Sequence, residues 1–171
     1  MFFYIEDRAL LKVSGSEAEA FLQAQFSNDI TKLDRKNIQL NAYCQHQGKI
    51  LALFWVMRFD DFFFLSCPFE LVDDIKIRLQ MFVIMSDVKI ENYTSKFCQI
   101  GSINEICSDS FRFNAKLSLI VTKPSNLNDF KFNSLDMWKK LLIDVQIPEI
   151  FLKTSGKLVP QMLNLDIDEI G

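Results

Sequence analysis

AYCQHQGKILALFWVMR, residues 42–58, decides the fold. Residues 38–44 and 50–57 are rich in β-branched and aromatic side chains. Gln45, His46, Gln47, Gly48 and Lys49 between them supply polar tips and one glycine free to take a positive φ. The pattern predicts a β-hairpin. Its second strand is apolar at nearly every position from Ile50 to Met57, so both faces are expected to be covered, at the centre of a sheet with something packed on each side. The turn carries the only histidine of the chain, and a polar turn at the end of a central hairpin can carry a site.

Toward the N-terminus, residues 2–5 and 9–13 read as two short strands broken at Asp7 and Arg8. Ser16 with Glu19 has the form of a capping box, and Ala18, Phe21, Leu22 and Phe26 recur at helical spacing, so a helix is predicted over residues 17–25. Ser27, Asn28 and Asp29 end it, and residues 34–37 lead into the hairpin. Beyond the hairpin, Asp60 and Asp61 mark a tight turn before a strand at residues 62–67. Two adjacent carboxylates can suggest acid–base chemistry, but at a hairpin tip they read as solvated. Pro68 introduces a helix over residues 69–81, with Leu71, Val72, Ile75, Ile77, Leu79 and Phe82 apolar and Asp73, Asp74, Lys76 and Arg78 polar. Residues 83–85 and 88–90 read as further strand. Strands in antiparallel hairpins interspersed with helices indicate an α+β domain.

Composition bounds the rest. A chain of 171 residues, 49% hydrophobic and with 17 phenylalanines, can bury about 70% of its unfolded surface. A net charge of −3 without a basic block gives no sign of direct nucleic-acid binding. The longest apolar run falls well short of the ~20 residues a membrane helix needs, and Glu6, Asp7 and Arg8 interrupt any leader-like start. A cytoplasmic protein with no membrane association is expected. Cys44, Cys67, Cys98 and Cys107 form no CxxC pair, and one histidine cannot complete a local zinc site, so no metal is expected and buried free thiols are the favoured reading over disulfides. The five glycines form neither GxGxxG nor GxxxxGK[ST].

In the C-terminal half, residues 97–100 and 117–121 read as strands and residues 123–128 as a surface loop. Ser134 caps a helix carrying Leu135, Trp138, Leu141, Leu142 and Val145, which ends before Pro148. Trp138 is either a core aromatic or a flat wall for a ring-shaped ligand, with Asp144 as an acceptor for ring N–H groups. Val159, Pro160, Gln161, Met162, Leu163, Asn164 and Leu165 form an irregular run of amides among apolar residues, of the kind buried and hydrogen-bonded near a site.

FLQAQFSNDI (21–30), AYCQHQGKI (42–50), Trp138 with Pro148, and VPQMLNLD (159–166), taken in that order, closely resemble the folate-binding YgfZ family of tRNA-modifying and iron–sulfur-cluster-repair factors. That family is itself similar to the aminomethyltransferase (T-protein) of the glycine cleavage system. The resemblance covers nearly the whole chain and is weakest over residues 94–132. It implies a two-lobed α+β folate-binding domain over residues 1–171, with ferredoxin-like mixtures of strands and helices around a tetrahydrofolate pocket. It places the family's folate-contacting tryptophan on Trp138 and the pterin-reading acid on Asp144, where relatives usually have Glu. A second aromatic position falls on Arg8, which can stack or pair with a folate carboxylate. Lys49 is a further candidate for the anionic tail.

Two departures limit what carries over. The catalytic aspartate pair of T-proteins falls on Ala52 and Leu53, so no catalytic residue is assigned and aminomethyl transfer by that mechanism is not expected. The Lys-Gly-Cys-Tyr-x-Gly-Gln signature and the small β-rich C-terminal domain of YgfZ-type chains are absent from this sequence, which is either a fragment or shortened version, or is followed by a tail that carries the motif. The resemblance therefore implies a folate-dependent accessory factor, a monomer, supporting iron–sulfur enzymes including those that modify tRNA. The alternatives are a one-carbon transferase recruiting Asp144 or the Cys44/His46 pair, and a scaffold that binds no folate.

Overall fold

The computed structural model describes residues 1–105 and 109–165. The two N-terminal strands do not pair with one another. The polar break at Glu6 and Asp7 takes the chain from one sheet to another, so that β1 (Phe2–Tyr4) lies in the first sheet and β2 (Arg8–Ser14) in the second. After α1 (Ala18–Gln25), the hairpin forms as β3 (Gln39–Cys44) and β4 (Ile50–Arg58), with β5 (Phe62–Pro68) added beside it. There follow α2 (Val72–Gln80), β6 (Lys89–Asn92), β7 (Cys98–Ile103), β8 (Ser110–Arg112), β9 (Leu117–Thr122), β10 (Phe132–Asn133) and α3 (Leu135–Asp144). The second sheet has the order β3-β4-β5-β2-β6, antiparallel throughout. The first has the order β10-β1-β7-β9-β8, antiparallel except where β10 runs parallel to β1. The class is α+β.

Strand alternation divides the interior in two. Ala9, Leu11 and Val13 of β2 and Phe63, Leu65 and Cys67 of β5 face an outer core closed by Ala18, Phe21 and Leu22 of α1 and by Val72, Ile75 and Leu79 of α2. The opposite face sends Leu10, Trp55, Met57 and Phe64 into an inner core. That core is shared with Phe3 of β1, Phe111 of β8, Leu117 and Leu119 of β9, and Trp138 and Leu142 of α3. Both faces of β4 are therefore covered, and Ile50 to Met57 are all buried. Two backbone bonds stitch the sheets together: Arg112 N–H donates to the Lys36 carbonyl (2.8 Å) and Ile38 N–H to the Arg112 carbonyl (2.7 Å).

Several local readings change in three dimensions. Ser16 and Glu19 form no capping box. The Ser16 N–H and hydroxyl donate instead to the Asp87 carboxylate (2.9 and 2.7 Å), Glu17 accepts from the Asp87 N–H (2.6 Å), and Glu19 pairs with Arg58. Partners brought by the fold displace the local ones. Residues 69–71 make a 3-10 turn ahead of α2, so the helix is shorter than 69–81. Residues 83–85 form no strand, because Met85 adopts a left-handed φ of 59° that no extended run accommodates. Residues 123–128 form most of a 3-10 helix, Pro124–Asp129. The Ser134 cap is present, its Oγ accepting from the Met137 N–H (3.4 Å). Cys44, Cys67 and Cys98 are free thiols, while Cys107 and residues 166–171 lie outside the described residues. Among those described, no helix is long and apolar enough to cross a membrane.

Candidate functional site

Three neighbouring strands place polar groups on the inner face of the second sheet. Trp55 of β4 is paired in register with Ser66 of β5, which is paired in turn with Leu10 of β2. Arg8, two residues before Leu10, shares that face. Its guanidinium lies 3.4 Å from the centroid of the Trp55 ring. Nε donates to Ser66 Oγ (2.9 Å), Nη2 to the Ser66 carbonyl (2.8 Å), and Nη1 to Glu149 Oε1. Burial lowers the Arg8 pKa from its ordinary value, and the Glu149 carboxylate opposes that shift. Such a pair is held only when its hydrogen bonds are met, as they are here.

Glu149 reaches this position because of how α3 stops. Gln146 takes a left-handed φ of 59°, its N–H donating to the Ile143 carbonyl, and Ile147 N–H bonds back to the Leu142 carbonyl (2.9 Å). This reversal turns the chain back across the inner core instead of into solvent. Lys139 of α3 meets Asp7 at 2.6 Å, and that hydrogen bond raises the lysine pKa. The helix and the segment that follows it are thus tied, through Lys139 and Glu149, to Asp7 and Arg8 where the chain passes from β1 to β2.

Trp138 lies deeper in the same core, 1% exposed. A Cβ at Gly101 would stand 2.7 Å from its ring, so the indole rests directly on the backbone of β7. Phe3 and Phe113 pack around it at centroid distances of 5.5 and 6.2 Å, and Phe113 also contacts Trp55 at 4.9 Å. Gln99, two residues before Gly101 on β7, donates from Nε2 to the Arg8 carbonyl (3.2 Å). Among the described residues, three buried polar atoms of this seam have no hydrogen-bond partner: Trp55 Nε1, Trp138 Nε1 and Gln99 Oε1. An unmet polar atom inside a core costs on the order of 1–3 kcal/mol and calls for a functional or structural reason.

The residues singled out in the sequence do not all meet. Arg8 and Trp138 belong to this one seam. Asp144 is exposed at the last residue of α3, and Lys49 is exposed in the turn after β3. Trp138 offers no open face to a ring in this conformation, and Arg8 has its donors engaged. Cys44 ends β3 at a register shift and His46 sits exposed in the turn, so the strand does not carry them to one face. Burial raises the Cys44 pKa and pushes that of Cys67 up to about 12, which leaves both thiols protonated at neutral pH. Ala52 and Leu53 are buried in the outer core. The amide-bearing run near the C-terminus is not buried as expected: Gln161, Met162 and Asn164 are exposed. A 3-10 turn at Pro160–Leu163 leaves Leu158, Leu163 and Leu165 as its packing contacts.

Two clefts, of about 560 and 340 Å³, flank the turn after β4. One is lined by Ser16, Glu19, Arg58 and Asp61, the other by Arg35, Lys36, Phe59 and Phe111. None of Arg8, Lys49, Trp138 and Asp144 lines either. Among the described residues, no group of three or more His, Cys, Asp or Glu is placed to hold a metal. Trp55, Ser66, Gln99 and Glu149 were not singled out by sequence reasoning. The signal for Trp55 was its place in the continuous apolar run of β4; Glu149 had none.

No family model matches the chain. An uncharacterized protein of Haemophilus influenzae is 25% identical over 98% of this chain, which spans 61% of that relative's length. Among solved structures, the glycine cleavage system aminomethyltransferase T from Bartonella henselae matches 84% of this chain and 45% of its own, with a TM-score of 0.62 at 14% identity. The heterotetrameric sarcosine oxidase from Corynebacterium sp. U-96 matches 75% of this chain and 77% of its own, with a TM-score of 0.49 at 10% identity. The fold is that of the aminomethyltransferase.

Proposed function

We propose that this chain is a folate-binding domain, spanning the given 171 residues as one unit or as two intertwined lobes, that binds tetrahydrofolate without transferring a one-carbon group. The observation that carries the reading is an aminomethyltransferase fold in which Ala52 and Leu53, both sunk in the outer core, stand where the resemblance places the catalytic acids. A carboxylate at either position would be buried among apolar side chains, so the strand supports binding and not acid–base chemistry.

The inter-sheet seam carries groups of the kind a flat polar ring needs, although Arg8 occupies the indole face and the carboxylate in this conformation. Trp55 supplies an indole face, Glu149 a carboxylate, and the two indole N–H groups and the Gln99 carbonyl supply the unmet donors and acceptor. Tetrahydrofolate is by its chemistry a one-carbon and redox carrier, and these residues would bind and orient it without acting on that carbon. Arg8 and Trp138 belong to that seam, while Asp144 and Lys49, exposed, would meet only the outer parts of a ligand. The finer reading is a cytoplasmic, monomeric accessory factor serving iron–sulfur enzymes, including those that modify tRNA, through protein contacts.

The test is titration of the folded protein with tetrahydrofolate, followed by tryptophan fluorescence and calorimetry, beside Trp138→Phe. Saturable binding that weakens in the variant supports the reading; its absence in folded protein sinks it. A second reading, an interaction scaffold, is favoured by the exposed apolar strip of Ile77, Met81, Phe82, Ile84 and Met85, and absence of folate binding would leave it standing.

A further inference from the structure

We propose that Arg8 fills, from within the chain, a recognition pocket for a planar guanidine-type ring, and that a ligand of that class binds by displacing it. The pocket is made by Trp55, Ser66 and Glu149. It offers an indole face, a hydroxyl and carbonyl pair, and a carboxylate, and the guanidinium uses all of them. A 2-amino-4-oxo heterocycle such as a pterin carries the same unit, a flat carbon bonded to an amino group and two ring nitrogens. Its amino and ring N–H groups can donate in parallel to one carboxylate while its π face lies on an indole.

Such a ring differs from an arginine by its carbonyl oxygen and its further ring nitrogens, which need partners the guanidinium does not. The seam holds spare ones. Among the described residues, Trp138 Nε1 is a buried donor without an acceptor and Gln99 Oε1 is a buried acceptor without a donor. Gln99 is aimed by its own Nε2, which donates to the Arg8 carbonyl. A pair that served only to staple the sheets would give no reason for the unmet Oε1 of Gln99, whose amide is held at the Arg8 carbonyl. The way in is on the carboxylate side, where the Glu149 side chain is 16% exposed against 3% for Arg8. The proposal takes its choice of pterin from the folate reading; the pocket itself rests on the contacts of Arg8.

The experiment uses guanidinium ion and free pterin as probes on the wild-type chain, Arg8→Ala and Arg8→Ala/Glu149→Gln, with folding checked by circular dichroism. Low millimolar guanidinium is expected to raise the melting temperature of Arg8→Ala and not of the wild type. Pterin is expected to bind Arg8→Ala about tenfold or more tighter than the wild type, because no internal occupant has to leave, and the double variant is expected to lose that gain. In ¹⁵N-labelled wild-type protein, saturating pterin should move the Arg8 Nε–H resonance. Guanidinium rescue without pterin binding, or pterin bound equally by both chains, overturns the proposal and leaves Arg8 a stapling ion pair. If Arg8→Ala does not fold, an unmoved Arg8 resonance, or no pterin binding by the wild type, overturns it. Tetrahydrofolate that saturates the wild type with Arg8 in place refutes this inference alone. Pterin binding by Arg8→Ala with no tetrahydrofolate binding by either chain refutes the folate reading alone.

Discussion

Gly101→Ala should destabilise this protein through a single contact. The new methyl group would stand 2.7–2.8 Å from three carbons of the Trp138 ring, against the 3.5–4.0 Å at which carbon atoms rest together. One partner must give by roughly 1 Å. Phe3 and Phe113 pack around the ring, and β7 is held between β1 and β9, so neither side yields freely. Overpacking of this kind costs about 2–3 kcal/mol, and Ala's smaller backbone entropy in the unfolded chain returns about 0.5 kcal/mol. The expected net loss of about 2 kcal/mol corresponds to about 4–8 °C in melting temperature for a chain of this size. Urea unfolding of wild type, Gly101→Ala, Trp138→Phe and the double variant measures it. The smaller ring should relieve the clash, so the glycine substitution should cost at least about 1 kcal/mol less in the Phe background. A loss below about 0.5 kcal/mol, or strict additivity, would refute the seating of the indole on β7.

Glu149→Gln should cost about 3 kcal/mol in urea unfolding, because it leaves the buried Arg8 charge without its counterion; a loss under about 1 kcal/mol would show the pair to be replaced by water. Asp34 accepts from the backbone N–H groups of Lys36 and Asn37, which hold its pKa below its ordinary value of 3.8. Its contribution is therefore present above 3.8 and lost as pH falls through the lowered value. Melting temperature against pH should fall less steeply in acid for Asp34→Asn, which keeps one acceptor oxygen for the two backbone N–H groups and does not titrate; an unchanged slope would contradict the assignment. Ala52→Asp should confer no aminomethyl transfer and should destabilise by several kcal/mol, on the order of 3, since the new carboxylate enters an apolar core. A stable variant with turnover would overturn the non-catalytic reading of β4.

The hairpin, both sheet-facing helices and the cap at Ser134 were legible because each depends on neighbours within a few positions: two β-branched and aromatic runs around a polar turn, a period of 3.6, a hydroxyl three residues before an N–H. β8 and β10 were not legible. They are two or three residues long and exist through pairing with β9 and β1, partners remote from any local pattern. Ser16 shows the limit from the other side. A well-formed local motif lost to Asp87, seventy-one residues away in sequence.

Sequence alone determined the α+β class, the burial of β4 on both faces, the apolar character of positions 52 and 53, and the order of segments that carries the family resemblance. All of these follow from side-chain type and spacing. Tertiary structure decided that Arg8 and Glu149 form one pair across 141 positions, that Trp138 is sealed against Gly101, and that Asp144 and Lys49 stand apart on the surface. A charge and its partner are chosen by what the folded chain brings within reach in a medium that will not tolerate either alone. No spacing rule encodes that choice, because it is made only when the two sheets close on each other.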